Sequence, residues 1–92
     1  MANLDVDLVA ADRKIWSGEA TMVVAPAADG EIGILPGHSP VLAVLRAGEV
    51  RITPVSGEQL RGTIDSGFLS VDADRVTIVA ATVDLVTGTE TR

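Results

Sequence analysis

The chain has 92 residues with 13 acidic and 7 basic side chains, a formal net charge of −6. That is one domain with one core, and its sign and scattered cations argue against partners that select clustered Lys and Arg, namely nucleic acid or an anionic membrane surface. There is no cysteine, so a disulfide scaffold is excluded, and no apolar stretch approaches spanning length, so direct membrane insertion is not expected. Asp5 and Asp7 interrupt the apolar run that a secretion signal would need, which makes a reducing, cytosolic setting the expectation. Apolar residues are 47 % of the composition, yet Trp16 and Phe68 are the only aromatics, so Val, Ile, Leu and Ala must fill the core.

In chain order, Leu4 to Ala10 alternates with period two, with Leu4, Val6, Leu8 and Ala10 on one face and Asp5 and Asp7 on the other. It reads as an outer strand with one wet face. The polar turn at 11–14 leads to a second strand over 15–19, in which Trp16 is expected in the core. A third strand over 20–25 is stopped by Pro26 and the small-polar turn 27–30. Val41 to Leu45 is five apolar residues without alternation, which fits either a fully buried strand or one with a second apolar face for a partner. Strands over 49–53 and 59–65 form a plausible hairpin, and two more are expected at 68–71 and 75–81. No segment has the period of an amphipathic helix.

This pattern predicts an all-β fold, an antiparallel two-sheet β-sandwich or flattened barrel, over residues 1–82. Residues 83–92 read as a polar, frayed tail. Val6, Leu8, Val23, Ile52, Ile64, Leu69, Val76 and Ile78 are the expected core.

The most specified stretch is Gly30-Glu31-Ile32-Gly33-Ile34-Leu35-Pro36-Gly37-His38-Ser39-Pro40, which holds three glycines, two prolines and the only histidine. Glycine permits positive φ or close approach and proline fixes φ, so this is a shaped loop, and its interleaved apolar residues imply a short strand or wide turn. It lacks the Gly-Lys-Ser/Thr ending of a phosphate-cradling loop, the dinucleotide fingerprint and the nucleophile elbow. No catalytic residue is assigned. A zinc site would have only His38 and carboxylates as ligands, so neither a metal nor any other cofactor is expected.

These blocks, together with Ile15-Trp16-Ser17-Gly18, Gly48-Glu49-Val50-Arg51-Ile52 and Ser66-Gly67-Phe68-Leu69, resemble the N-terminal domain of the ε subunit of bacterial F-type ATP synthase over roughly residues 4–82. The resemblance implies a β-sandwich in the rotating central stalk that catalyses nothing and links the γ subunit to the c-ring within the F1Fo complex. It implies that Asp29, Gly30, Glu31, Ile32 and Gly33 face the c-ring, and that His38, Val41, Leu42 and Leu45 lie on or near the γ side. It also implies a peripheral position on the cytoplasmic side of the bacterial plasma membrane. Most bacterial members continue into a C-terminal helical hairpin, which is absent from these 92 residues, so neither inhibition of ATP hydrolysis nor nucleotide binding is carried over. The competing readings are a stand-alone β-sandwich that binds a protein or small ligand and, more weakly, a hydrolase using Asp29, Glu31 and His38. Bottom-up, Glu31 is equally a solvated loop acid, and His38 equally a side chain hydrogen-bonded within its own turn.

Overall fold

Period-two patterning produces nine strands in the computed structural model, which describes residues 3–87. They are β1 (Leu4–Ala10), β2 (Arg13–Ala27), β3 (Gly30–Ile34), β4 (Val41–Leu45), β5 (Gly48–Pro54), β6 (Leu60–Ile64), β7 (Gly67–Asp72), β8 (Arg75–Ala80) and β9 (Val83–Thr87). One layer runs β4-β7-β8-β1 and ends on the first half of β2. The other runs β9-β6-β5, then the second half of β2, then β3. Strand β2 therefore belongs to both layers.

That 15-residue strand joins the two that the sequence divides over 15–19 and 20–25. Gly18 is tolerated in mid-strand because the Trp16 ring lies over it, so close that an added Cβ would come within 2.9 Å of the ring. Trp16 is thus half-buried against the core rather than within it. Pro26 does not stop β2 either. It pairs opposite Glu31, and its carbonyl accepts a hydrogen bond from Arg46 N at 2.9 Å, a role that needs no amide proton. The strand ends one residue later, and Ala28 and Asp29 make the hairpin turn into β3, with Gly30 at φ 136°.

Two further expectations change. Strand β1 is not at an edge: β2 covers one side of it and β8 the other, and the β1–β8 pairing is parallel, so the sandwich is not antiparallel throughout. The supposed tail begins with β9, which pairs antiparallel with β6 from Leu60↔Thr87 to Ile64↔Val83. Val83 and Leu85 are held there by packing against the core, beside Gly62 and Leu8. Residues 88–92 lie outside the described part. At the far end of β2 a single bridge, Ala27↔Leu45, touches β4, so the two layers meet at a corner and no barrel closes.

Between the layers sits a core of aliphatic side chains. All eight residues expected there are buried, joined by Leu4, Ala20, Ala25, Ile34, Leu45, Val50, Leu60 and Val71 among others. Among the described residues no polar or charged side chain is buried. Each Leu, Ile or Val so placed contributes about 1.5–3 kcal/mol relative to exposure, which is how a domain with one Phe and one Trp holds together.

Candidate functional site

Apolar side chains point both ways along β4, and this separates its residues. Val41, Ala43 and Leu45 point inward, whereas Leu42 and Val44 stand 72 % and 68 % exposed. Leu45 is 2 % exposed and part of the core, so its side chain is not open to a partner, whereas Val41 is half-buried against that core. The alternation was invisible in the sequence because both faces of the strand are apolar. Val44 is opposite Phe68 on β7, which is 45 % exposed, and Phe68 is opposite Val79 on β8, itself opposite Val9 on β1. An apolar row thus crosses the outer face of the layer from β4 to β1, with Leu42 beside its exposed end.

Next to it is a shallow groove of about 590 Å³ between the β2–β3 hairpin and β4, lined by Asp29, Glu31, Ile32, Leu42 and Val44 among others. The two surfaces that the resemblance assigned to separate partners, the 29–33 segment and Leu42, are therefore adjacent. Glu31 is not a free loop acid: both its carboxylate oxygens lie 3.3 Å from Arg51 Nη2 on β5. The pair is largely solvated and so contributes little to stability, but it orients the carboxylate over the hairpin. Asp29 is exposed at the turn and has no ion pair among the described residues.

His38 is held by its own turn. Its Nδ1 lies 2.7 Å from the Ser39 carbonyl oxygen and its backbone N donates to Leu35 O at 3.1 Å. It does not line the groove with Asp29 and Glu31, so the three groups of the hydrolase reading are not brought together. The loop carrying it is tied to the β7–β8 turn: Gly37 N, at φ 89°, donates to Asp74 Oδ1 at 2.7 Å, while Asp74 O accepts from Asp5 N. Ala73 and Asp74 are both left-handed, as a two-residue hairpin of this type demands. The strands expected at 68–71 and 75–81 imply that turn but not its tie to Gly37, and sequence reasoning did not single out Val44, Phe68 or Arg51 as site residues. Period two, applied across paired strands, is the signal that would have found Val44 and Phe68.

Two carboxylates away from the groove tie neighbouring segments together, Asp65 at strand ends and Asp7 across the β1–β2 ladder. Asp65 Oδ1 accepts from Thr82 N and Ser66 N, and these amides hold its carboxyl below the usual carboxylate range. The Ser17 hydroxyl donates to Asp7 Oδ1 at 2.7 Å and does the same there, with the Lys14 ammonium adding to it.

An exposed apolar row beside an acid-rimmed groove, set on a sandwich whose interior is wholly aliphatic, defines a β-sandwich docking module rather than a pocket for chemistry. The sequence model described as the beta-sandwich domain of the ATP synthase Delta/Epsilon chain matches residues 3–85, and the chain belongs to that family. It is 50 % identical over 86 residues to the ATP synthase epsilon chain of Rhodococcus erythropolis, covering 92 % of this chain and 70 % of that one. With the epsilon chain of Micrococcus luteus it shares 49 % over 85 residues, covering 92 % and 93 %. In fold it is similar to a chain in the mitochondrial ATP synthase of Euglena gracilis, with a TM-score of 0.84 at 22 % identity, covering 100 % of this chain and 57 % of that one.

Proposed function

We propose that this chain is a non-catalytic rotor subunit of an F-type ATP synthase, joining the γ subunit to the c-ring and so coupling proton translocation to ATP synthesis. The observation that carries the reading is the match of residues 3–85 to the Delta/Epsilon family, with half of 86 aligned residues identical to a bacterial epsilon chain. Chains of the same fold occur in solved assemblies of the central stalk and c-ring, which supports the same partners. The complex is membrane-associated, and the side taken by this chain is the cytoplasmic face of the bacterial plasma membrane.

In this reading the hairpin and first residues of β3, Asp29 to Gly33, meet the c-ring, with Glu31 presented by Arg51. The γ subunit is met by Leu42 and, at the neighbouring turn, His38; Val41 and Leu45 support that surface from beneath. An acidic chain docking to protein loops through a partly apolar surface is consistent with a net charge of −6. The test is to add the chain to F1 from its own cell stripped of its native copy, then to c-ring vesicles, and to follow co-sedimentation. Stable co-sedimentation with both is the expected result; a chain left in the unbound fraction in each case overturns the proposal.

A further inference from the structure

Strand β4 ends its layer as an edge strand without the usual protection. It reads Val-Leu-Ala-Val-Leu, with no charge and no proline inside it, where β3 carries Glu31 and β9 carries Asp84. The bridge at Ala27↔Leu45 fixes which way its backbone groups point. Ala28 N donates to Val44 O and Arg46 N donates to Pro26 O, so residues 44 and 46 turn their amide groups away from β7, and by strand alternation so does residue 42. The hairpin turns away after Ala28. Leu42 N, Leu42 O and Val44 N are then left facing the groove without a backbone partner among the described residues.

We infer that this edge is a strand-addition site, taken by an extended segment of a partner protein that continues the short β2–β4 ladder past the hairpin tip. A segment of roughly four residues, at about 3.3 Å each, runs the length of the edge. One set of its alternate side chains lies beside Leu42 and Val44 and covers them, which calls for apolar residues at every second position. The groove rim carries Asp29, which has no ion pair among the described residues, beside the Glu31–Arg51 pair, so the segment bears a Lys or Arg where it passes the hairpin tip. A second copy of the chain fits less well, because it would bring together two molecules of net charge −6 and double the acidic rim.

The inference rests only on this surface facing protein, so it is tested without any ATP synthase subunit and can fail independently of the family role. The probe is a capped peptide of alternating valine and threonine with lysine at each end, mixed with the 92-residue chain, and the readout is amide hydrogen exchange by NMR. In the chain alone the Leu42 and Val44 amides exchange fast while those of Ala43 and Leu45, directed at β7, are protected. With peptide, Leu42 and Val44 slow by roughly tenfold or more. The same peptide N-methylated on its edge-facing amides has no such effect. Val44→Pro removes one edge donor without touching the β7 ladder, and it abolishes the slowing while the melting temperature stays near that of the parent chain. Three results would overturn the inference: Leu42 and Val44 protected in the chain alone, equal effects from the methylated peptide, or protection that rises with chain concentration in the absence of peptide, which means self-association.

Discussion

Replacing Gly67 by alanine tests how tightly the β7–β8 junction is built. Gly67 opens β7 opposite both Ala80 and Leu45, and an added Cβ would fall on the Val79 carbonyl oxygen and lie 2.9 Å from Ala80 Cα. Those atoms are backbone of a paired strand, so no rotamer change relieves the overlap; β8 must shift outward and strain the Asp65 clasp on Ser66 and Thr82. Overpacking of this kind costs about 3 kcal/mol. A 92-residue domain has roughly 5–14 kcal/mol in total, so the loss is a large fraction of it. At about 4–8 °C per kcal/mol the melting temperature should fall by roughly 12–24 °C, read by circular dichroism near 218 nm, the β-sheet band. Gly33→Ala is the control, since an added Cβ there meets nothing within 4 Å. If the two variants melt together, the close approach at Gly67 is not real and the reasoning fails.

Leu45→Asp should destroy the folded baseline by burying a charge at a cost of several kcal/mol, whereas Leu42→Asp should leave the melting temperature nearly unchanged and weaken γ capture. Thermal melts of the pair decide it, and equal destabilisation would contradict the inward-outward alternation of β4. Glu31→Lys breaks only a solvated pair with Arg51, so it should cost less than about 1 kcal/mol while loosening co-sedimentation with c-ring vesicles; an early melt would make Glu31 structural. Asp7 and Asp65 have carboxyls depressed in the folded state, so their contribution is complete above the unfolded carboxylate value near 4 and is lost as pH falls through the folded values. Melting temperature should therefore decline on acidification below roughly pH 4, and less steeply in an Asp7→Asn, Asp65→Asn double variant. An unchanged slope in that variant would remove both residues from the account.

Strands with one wet face were legible from the sequence: β1, β5 and β8 alternate cleanly, and all eight core residues named from such patterns are buried. What local pattern does not carry is pairing between distant segments. Nothing near Leu4 to Ala10 announces a parallel partner at 75–80, and β9 looked like a tail because Asp84 and Thr87 dilute a pattern whose apolar members, Val83 and Leu85, find the core only through pairing with β6. The sequence divides 15–25 into two strands and reads Pro26 as a stop, yet one strand runs through, with the Trp16 ring over Gly18 and the Pro26 carbonyl bonded to Arg46 N. The candidate site was legible as a segment, 29–45, but its face was not, since a run apolar on both sides gives no hint of which residues point outward.

The parallel pairing of β1 with β8 has a consequence for how the domain is made. Ala10 meets Ala80 and Asp5 meets Arg75, so β1 leaves the ribosome well before the strand it pairs with. Bringing partners 70 residues apart together closes a long loop, which by chain statistics alone opposes folding by roughly 3–4 kcal/mol beyond a constant. Until residue 80 has left the ribosome, one side of β1, with its unpaired amides, is open to solvent and to other nascent chains. The ladder that sits in the middle of the finished sheet therefore cannot form until β8 has emerged, and the β6–β9 ladder waits longer still, so neither layer can be completed by adding strands in chain order.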